Sequence, residues 1–155
     1  MIILDTNVIS EAMRGPGADF RVISWLRSLS STPVTTVINQ AEILAGIAVL
    51  PPSHRRERLY TAAQAAFAGL AVCLPLSPEC ATQYANIVAA RQAAGRPIGG
   101  MDALVAAIAR ESGGQLATRD TAGFEGLELD LIDPWQHEGN KVPKQRDAGP
   151  ARRVG

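Results

Sequence analysis

Apolar and polar residues alternate along the chain in a pattern that predicts short strands separated by amphipathic helices. Apolar or β-branched runs predict strands at residues 1–4, 34–38, 72–74, 115–118 and 129–132. Apolar residues at helical spacing predict helices at residues 5–13, 19–29, 39–50, 53–70, 77–95 and 102–113. Because helices separate most of the strands, this order predicts an α/β fold with a mainly parallel sheet covered by helices.

The pattern of apolar positions ends near Trp135. Residues 138–155 have no periodic apolar positions and carry five Lys or Arg against two acids, which is typical of a flexible segment. The whole chain of 155 residues has the length of one domain rather than two. We therefore predict one folded domain over residues 1–136 and a flexible basic tail over residues 137–155.

Composition and charge restrict the possible classes of protein. Fifteen Lys and Arg balance fifteen Asp and Glu, so the net charge alone gives no support to nucleic-acid binding. No apolar run approaches the roughly 18–20 residues that span a bilayer, and the N-terminus lacks the basic leader of a signal peptide. Cys73 and Cys80, the only cysteines, match neither a zinc motif nor a disulfide framework. We expect a cytoplasmic protein that does not associate with membranes.

Four acids lie at the end of a predicted strand or at the start of a helix that follows one. They are Asp5, Glu42, Asp102 and Asp120. In a doubly wound sheet these positions share one rim, where ligands usually bind. Carboxylates crowded there repel one another unless a cation neutralises them, and oxygen ligands favour Mg²⁺ or Mn²⁺. Neither His54 nor His137 lies in a ligand pattern, which argues against zinc.

Each acid, taken alone, also has a local structural explanation. Asp5 is a plausible helix cap and Asp120 a plausible turn residue, while Asn39 and Glu42 resemble a capping box. Asp102 is an acid in the first turn of a helix, where the macrodipole favours it. The helix over residues 101–109 is, however, apolar on every face, and an ionised carboxylate there needs a partner.

Four segments together resemble the PIN-domain family, and more closely its VapC and FitB ribonuclease toxins. They are Leu-Asp-Thr-Asn-Val-Ile-Ser at residues 4–10, Ala-Glu at 41–42, Asp-Ala at 102–103 and Ala-Thr-Arg-Asp-Thr at 117–121. The resemblance covers residues 1–136 and implies a three-layer α/β/α domain with an acidic site that depends on Mg²⁺ or Mn²⁺. It matches Asp5, Glu42, Asp102 and Asp120 to the acidic positions of the family.

The resemblance also implies a role for each of these residues. Asp5, Asp102 and Asp120 would hold the metal, and Glu42 would orient the attacking water or bind metal through water. Thr118, together with Thr6 or Asn7, matches the polar supporting positions. Cleavage of RNA would leave a 3′-hydroxyl and a 5′-phosphate.

The partners implied by the resemblance are RNA, a cognate antitoxin and a second copy of the chain in a homodimer. Residues 19–29 and 39–50 are expected to form the antitoxin groove through apolar side chains that plain core packing would explain equally well. These side chains are Trp25, Leu26, Ile43, Leu44 and Ile47. The arginines that are candidates for contacts with RNA are Arg14, Arg55, Arg56, Arg91, Arg96 and Arg119.

Three other functions compete with a toxin ribonuclease. A catalytically weak or inactive PIN-fold module would bind RNA or a partner protein, although all four acids are retained. A phosphotransferase with Asp5 as nucleophile would require a second Asp two residues later, where the chain has Asn7. A nuclease for structured DNA would require a longer chain.

Overall fold

A parallel sheet of five short strands forms the centre of the molecule in the computed structural model, which describes residues 1–138. The strands are β1 (Ile2–Leu4), β2 (Thr35–Thr36), β3 (Cys73–Leu74), β4 (Gln115–Ala117) and β5 (Leu131–Ile132). β1 pairs with β4, β4 with β5, and β2 with β3, always in parallel. Hydrogen bonds from Leu4 N to Val34 O (2.8 Å) and from Val34 N to Ile2 O (2.9 Å) join the two groups. The resulting order is β3-β2-β1-β4-β5, and the predicted parallel sheet is confirmed.

Seven α-helices connect these strands within the described residues. They are α1 (Thr6–Ala12), α2 (Phe20–Ser28), α3 (Val37–Ala48), α4 (His54–Ala68), α5 (Cys80–Ala93), α6 (Gly100–Ser112) and α7 (Thr121–Phe124). Short 3-10 turns lie at Gly15–Gly17 and Pro134–Gln136. None of the helices in this part of the chain combines the length and hydrophobicity needed to cross a membrane.

Neighbouring strand residues point to opposite faces of the sheet, and apolar side chains are buried on both faces. Ile3 and Leu116 pack into one apolar cluster with residues of α5 and α6. Leu4 and Ala117, the next residue in each strand, pack into a second cluster with residues of α1 to α4. Helices therefore cover both faces, as the predicted three-layer α/β/α fold requires.

The boundary between β2 and α3 differs from the prediction. A strand over residues 34–38 and a helix capped by Asn39 were expected, yet α3 begins at Val37. Thr36 is the cap, because its side chain accepts a hydrogen bond from Asn39 N at 3.2 Å. This cap and the burial of Ile38 outweigh the strand preference of two β-branched residues. The predicted capping box of Asn39 and Glu42 is therefore wrong.

Other boundaries differ at the ends of the chain's later elements. α5 begins at Cys80 rather than at residue 77, and β5 covers only the end of the predicted strand 129–132. The pattern did not predict α7, a single turn that Asp120 caps through a hydrogen bond from Gly123 N. The basic tail predicted for residues 137–155 lies outside the described residues from residue 139 onward.

Candidate active site

Asp5 lies directly after β1 and is the most firmly held acid of the site. Its side chain is buried, with 6% of its surface exposed. Oδ1 accepts hydrogen bonds from Thr6 N (2.7 Å) and Asn39 Nδ2 (3.0 Å). Oδ2 accepts them from Asn7 Nδ2 (2.8 Å) and Thr118 Oγ1 (2.7 Å). Four donors therefore occupy the acceptor positions of this carboxylate and fix its orientation.

Thr118 and Asn7 tie the end of β4 to the end of β1. The hydroxyl of Thr118, which is fully buried, donates to Asp5 and accepts from Asn7 Nδ2 and Asp120 N, both at 3.1 Å. Asn7 Oδ1 accepts from Arg119 N at 3.1 Å. The single hydroxyl uses its one donor and both acceptor positions, so it sets the separation of the two strand ends.

Asn39 connects Asp5 to Glu42 through Thr6. Its buried amide donates to Asp5 and also to Thr6 Oγ1 at 3.1 Å. The hydroxyl of Thr6 in turn donates to Glu42 Oε2 at 2.6 Å, so Glu42 is oriented from α1. Asn39 was predicted only as a helix cap. Thr36 offers a better cap three positions earlier, and Asn39 then stands as a polar residue in the otherwise apolar first turn of α3. That placement is the sequence signal for a role of Asn39 in the site.

Asp102 and Asp120 complete the site and are less constrained. Asp102 is the third residue of α6, is exposed, and accepts no hydrogen bond within residues 1–138. Partial desolvation of its carboxylate raises the pKa of Asp102, and the negative charges of Asp5, Glu42 and Asp120 raise it further. Because each of the other three acids acts on Asp102, the structure brings all four predicted residues into one electrostatic site.

Asp120 is held from one side only. Its Oδ1 accepts from Gly123 N at 3.0 Å, and Oδ2 accepts no hydrogen bond within residues 1–138. A Cβ at position 123 would collide with the Asp120 carboxylate, so glycine is required there for this orientation.

The donor chemistry of the site fits a hard divalent cation. In residues 1–138, no three Asp, Glu, His or Cys side chains are arranged to hold one metal ion. Mg²⁺, however, usually binds one or two carboxylates and completes its coordination with water and substrate phosphate. Asp102, Asp120 and Glu42 each present a carboxylate oxygen that accepts no hydrogen bond in this part of the chain. The site therefore offers carboxylate oxygens and a negative charge to a cation, but within the described residues it has no preformed set of three protein ligands.

The predicted RNA-binding arginines fall into two groups. Arg91 is buried and donates to Glu125 O at 3.0 Å, and Arg96 donates to the Glu125 carboxylate and to Ala122 O, so the two arginines hold α7 and the residue that follows it. Arg91 is therefore held inside the fold, whereas Arg96 is exposed and stays a predicted RNA contact. The other four arginines extend outside the core, and Arg119 places its guanidinium 5.2 Å from the centre of the Trp135 ring. These four are Arg14, Arg55, Arg56 and Arg119.

Core packing accounts for most of the apolar side chains that were expected to contact an antitoxin. Trp25, Ile43 and Ile47 belong to the apolar cluster on the α1–α4 face of the sheet, and each is 7% exposed. Leu26 packs against the same cluster. Leu44 differs, because it does not belong to this cluster; it lines an open cavity between α3 and α4 together with Ile47 and Tyr60.

Comparisons with known proteins agree with this arrangement. The PIN domain matches residues 2–127. VapC ribonuclease Y4jK of Sinorhizobium fredii is 37% identical over 88% of this chain and 99% of its own length. Toxin FitB of Neisseria gonorrhoeae is 36% identical over 87% of this chain and 99% of its own length.

Among solved structures, the crystal structure of FitAcB from Neisseria gonorrhoeae superposes with a TM-score of 0.75. The identity is 35%, and the match covers 88% of this chain and 99% of that one. Since the match extends from β1 through the last acid of the site, the chain belongs to the PIN-domain family.

Proposed function

We propose that this chain is a Mg²⁺- or Mn²⁺-dependent endoribonuclease that acts in the cytoplasm as the toxin of a toxin–antitoxin pair. The observation that carries the proposal is Asp102, whose carboxylate accepts no hydrogen bond within residues 1–138 and whose pKa is raised by the negative charges of Asp5, Glu42 and Asp120. Such crowding of like charges at the carboxyl ends of parallel strands is suited to binding a cation. The name of one relative, a VapC ribonuclease, supports RNA as the substrate, and the name of another, the toxin FitB, supports the role as a toxin.

The residues of the chain divide the work of hydrolysis. Asp102 and Asp120 would hold the cation through their open oxygens, and Asp5 would join them through water or after one of its four donors moves away. When bound, the cation supplies Lewis-acid polarisation of the scissile phosphate and lowers the pKa of a water molecule. Glu42, oriented by Thr6, would accept a hydrogen bond from the attacking water through Oε1, which accepts none within residues 1–138. In-line attack of this water on phosphorus would break the P–O3′ bond and leave a 5′-phosphate, while the departing O3′ would take a proton from solvent and become the 3′-hydroxyl.

The proposal includes two protein partners. FitAcB names a second component beside FitB, which supports a cognate antitoxin for this chain too. A second copy of the chain, in a homodimer, is the other expected partner. The competing function is a PIN-fold module that binds RNA or a partner protein without cutting RNA. Such a module would bind RNA in the following test but would not cleave it.

The test compares Asp102→Asn with Glu111→Gln, a matched change of an exposed acid at the far end of α6. Wild-type protein is expected to cut single-stranded RNA in Mg²⁺ or Mn²⁺ and to stop when EDTA removes the metal. Asp102→Asn should reduce the rate about 100-fold or more, because a metal ligand is removed, while Glu111→Gln should cut at the wild-type rate. RNA binding without cleavage by wild-type protein would favour the non-catalytic module.

A second experiment tests the role as a toxin. Expression of the chain alone is expected to arrest growth, and co-expression with the neighbouring gene product should relieve the arrest. Asp102→Asn should cause no arrest. Arrest by this variant at the wild-type level would contradict a toxin that acts through cleavage.

A further inference from the structure

A groove of about 400 Å³ opens directly beside the acidic site, between α1, α3 and the start of α4. It shares Thr6 and Glu42 with that site, and most of its remaining lining is apolar. Arg14 and Arg55 bring two positive charges to it. We call it the Arg14–Arg55 groove. Its size lies in the range of about 300–1,000 Å³ typical of small-ligand pockets.

Within the described residues, the folded chain pairs only one of these two charges, and that one at long distance. Arg55 lies in the first turn of α4, where the positive end of the helix dipole disfavours a cation. Among residues 1–138 it makes no ion pair, and Arg14 makes only a 3.4 Å contact with Glu11 while its side chain is 62% exposed. Both guanidinium groups are therefore available to an anion from outside the chain.

Gly46 lines the Arg14–Arg55 groove at a position where no packing contact requires glycine. It lies inside α3, although glycine is unfavourable within a helix. A Cβ built at this position would meet no atom of the protein within 4 Å. Packing within the chain therefore does not require glycine at this position, and a larger side chain here would enter open space at the groove.

We infer that the Arg14–Arg55 groove binds the nucleotide of single-stranded RNA that flanks the scissile phosphate. The inference rests on the proposed ribonuclease function. The groove begins at Glu42 of the acidic site, so a strand whose phosphate lies at Asp102 and Asp120 can continue into it. Its backbone phosphate pairs with Arg14 and Arg55, and its ribose and base lie over the apolar lining beside Gly46. A guanidinium binds phosphate through two parallel hydrogen bonds, which suits an exposed pair of arginines.

The test fills the groove without touching the acids. Gly46→Leu places a side chain in the groove, Gly46→Ala adds one carbon, and Ala89→Leu makes a comparable change at an exposed position of α5. Initial rates are measured on a 5′-fluorescein RNA of about 12 unpaired nucleotides, long enough to extend well beyond one bound nucleotide, and melting temperatures are recorded for all variants. Gly46→Leu is expected to raise KM about tenfold with a smaller change in kcat, since the groove is used for binding. Gly46→Ala should have a much smaller effect on KM, and Ala89→Leu none.

The charges are tested with the double variant Arg14→Ala/Arg55→Ala. It should also raise KM, and its log(kcat/KM) should fall less steeply with log[KCl], by about 0.7 for each phosphate that the protein no longer neutralises. Wild-type KM and salt dependence in both Gly46→Leu and the double variant, with RNA still cut, would overturn the inference and leave the proposed function standing.

Two further outcomes separate the inference from its alternatives. If Gly46→Leu cuts RNA normally but no longer binds the co-expressed neighbouring gene product, the groove belongs to a protein partner and the inference is wrong. If wild-type protein neither binds nor cuts the RNA, the proposed function fails and the inference fails with it.

Discussion

The two sides of the acidic site are built on opposite principles. Asp5 is buried and accepts four hydrogen bonds from neutral donors, and Glu42 is oriented by Thr6. Across from them, Asp102 accepts no hydrogen bond within residues 1–138 and Asp120 accepts one. We call these the held side and the open side.

The difference shows how one site combines a rigid frame with capacity for a ligand. Fully satisfied polar networks fix a unique geometry, and the held side is such a network between the ends of β1 and β4 and the start of α3. The open side keeps unpaired oxygens and repulsion among like charges, and both favour binding of a cation. Rigid support beneath a few free oxygen ligands is the arrangement that precise binding sites require.

The same Asp-to-Asn substitution on the held side and on the open side gives the largest predicted difference in the free energy of unfolding. Asp5→Asn turns an amide toward two donors and should lower the free energy of unfolding by about 2–4 kcal/mol, since buried hydrogen bonds to a charged group are broken. Asp102→Asn removes repulsion together with a favourable interaction with the helix dipole, and should therefore change that free energy by less than about 1 kcal/mol. Urea denaturation of both variants measures the contrast.

Glu111→Gln serves as the control for this pair, because it removes one exposed acid from α6 without touching the site. Equal destabilisation by Asp5→Asn and Asp102→Asn would contradict the division into a held and an open side.

Thr118→Val tests the held side at its most connected hydroxyl. The change keeps the shape of the side chain but removes one donor to Asp5 and one acceptor for Asn7 and Asp120 N. We expect the free energy of unfolding to fall by about 1–3 kcal/mol, because buried polar partners are left unsatisfied. Thr82→Val, at an exposed position of α5, should change it by less than about 0.5 kcal/mol. Equal values for the two variants would show that the network contributes little to folding.

Much of the fold followed from periodicity, because the strands and long helices bury regular apolar faces. The parallel sheet and six of the helices were predicted, whereas the boundary at Thr36 was not. Val37 and Ile38 favour a strand locally, and the early helix start is explained by the Thr36 cap, the burial of Ile38 and the contacts of Asn39 with Asp5 and Thr6. Hydrogen bonds between residues 34 positions apart leave no periodic signal in the sequence.

The four acids of the candidate site could be predicted from the sequence, but the difference in how firmly each is held could not. Asp5, Glu42, Asp102 and Asp120 were identified from their positions at strand ends and from the resemblance to the PIN-domain family. The sequence does not reveal that one acid is fully bonded while another is open, since that depends on which side chains meet across β1, β4 and α3. Arg91 was assigned to RNA for the same reason, because its burial against Glu125 is a tertiary contact.

Gly123→Ala tests the open side without changing any acid. A Cβ there would collide with the Asp120 carboxylate and force it away from its hydrogen bond with the backbone N–H of residue 123. If Asp120 holds metal, the rate of RNA cleavage should fall about 10–100-fold, since a displacement near 1 Å suffices for such an effect. Gly17→Ala is the matched control, because a Cβ at Gly17 meets no atom within 4 Å. Cleavage at the wild-type rate by Gly123→Ala would remove Asp120 from the catalytic group.

The smallest predicted effect on stability concerns Asp19. Its carboxylate is held at the surface by the guanidinium of Arg21, whereas neutral donors hold the buried Asp5. Side-chain hydrogen bonds from Arg21, at 2.7 and 3.1 Å, and its backbone N–H lower the pKa of Asp19 to about 2. Because the folded pKa lies below the unfolded one, the stabilisation is present above the ordinary range and disappears as pH falls toward 2. Arg21→Ala should raise the pKa of Asp19, measured by NMR titration, while Arg27→Ala leaves it unchanged. Neither variant should alter RNA cleavage, since this pair lies outside the held and open sides; a loss of activity in Arg21→Ala alone would extend the held side to the start of α2.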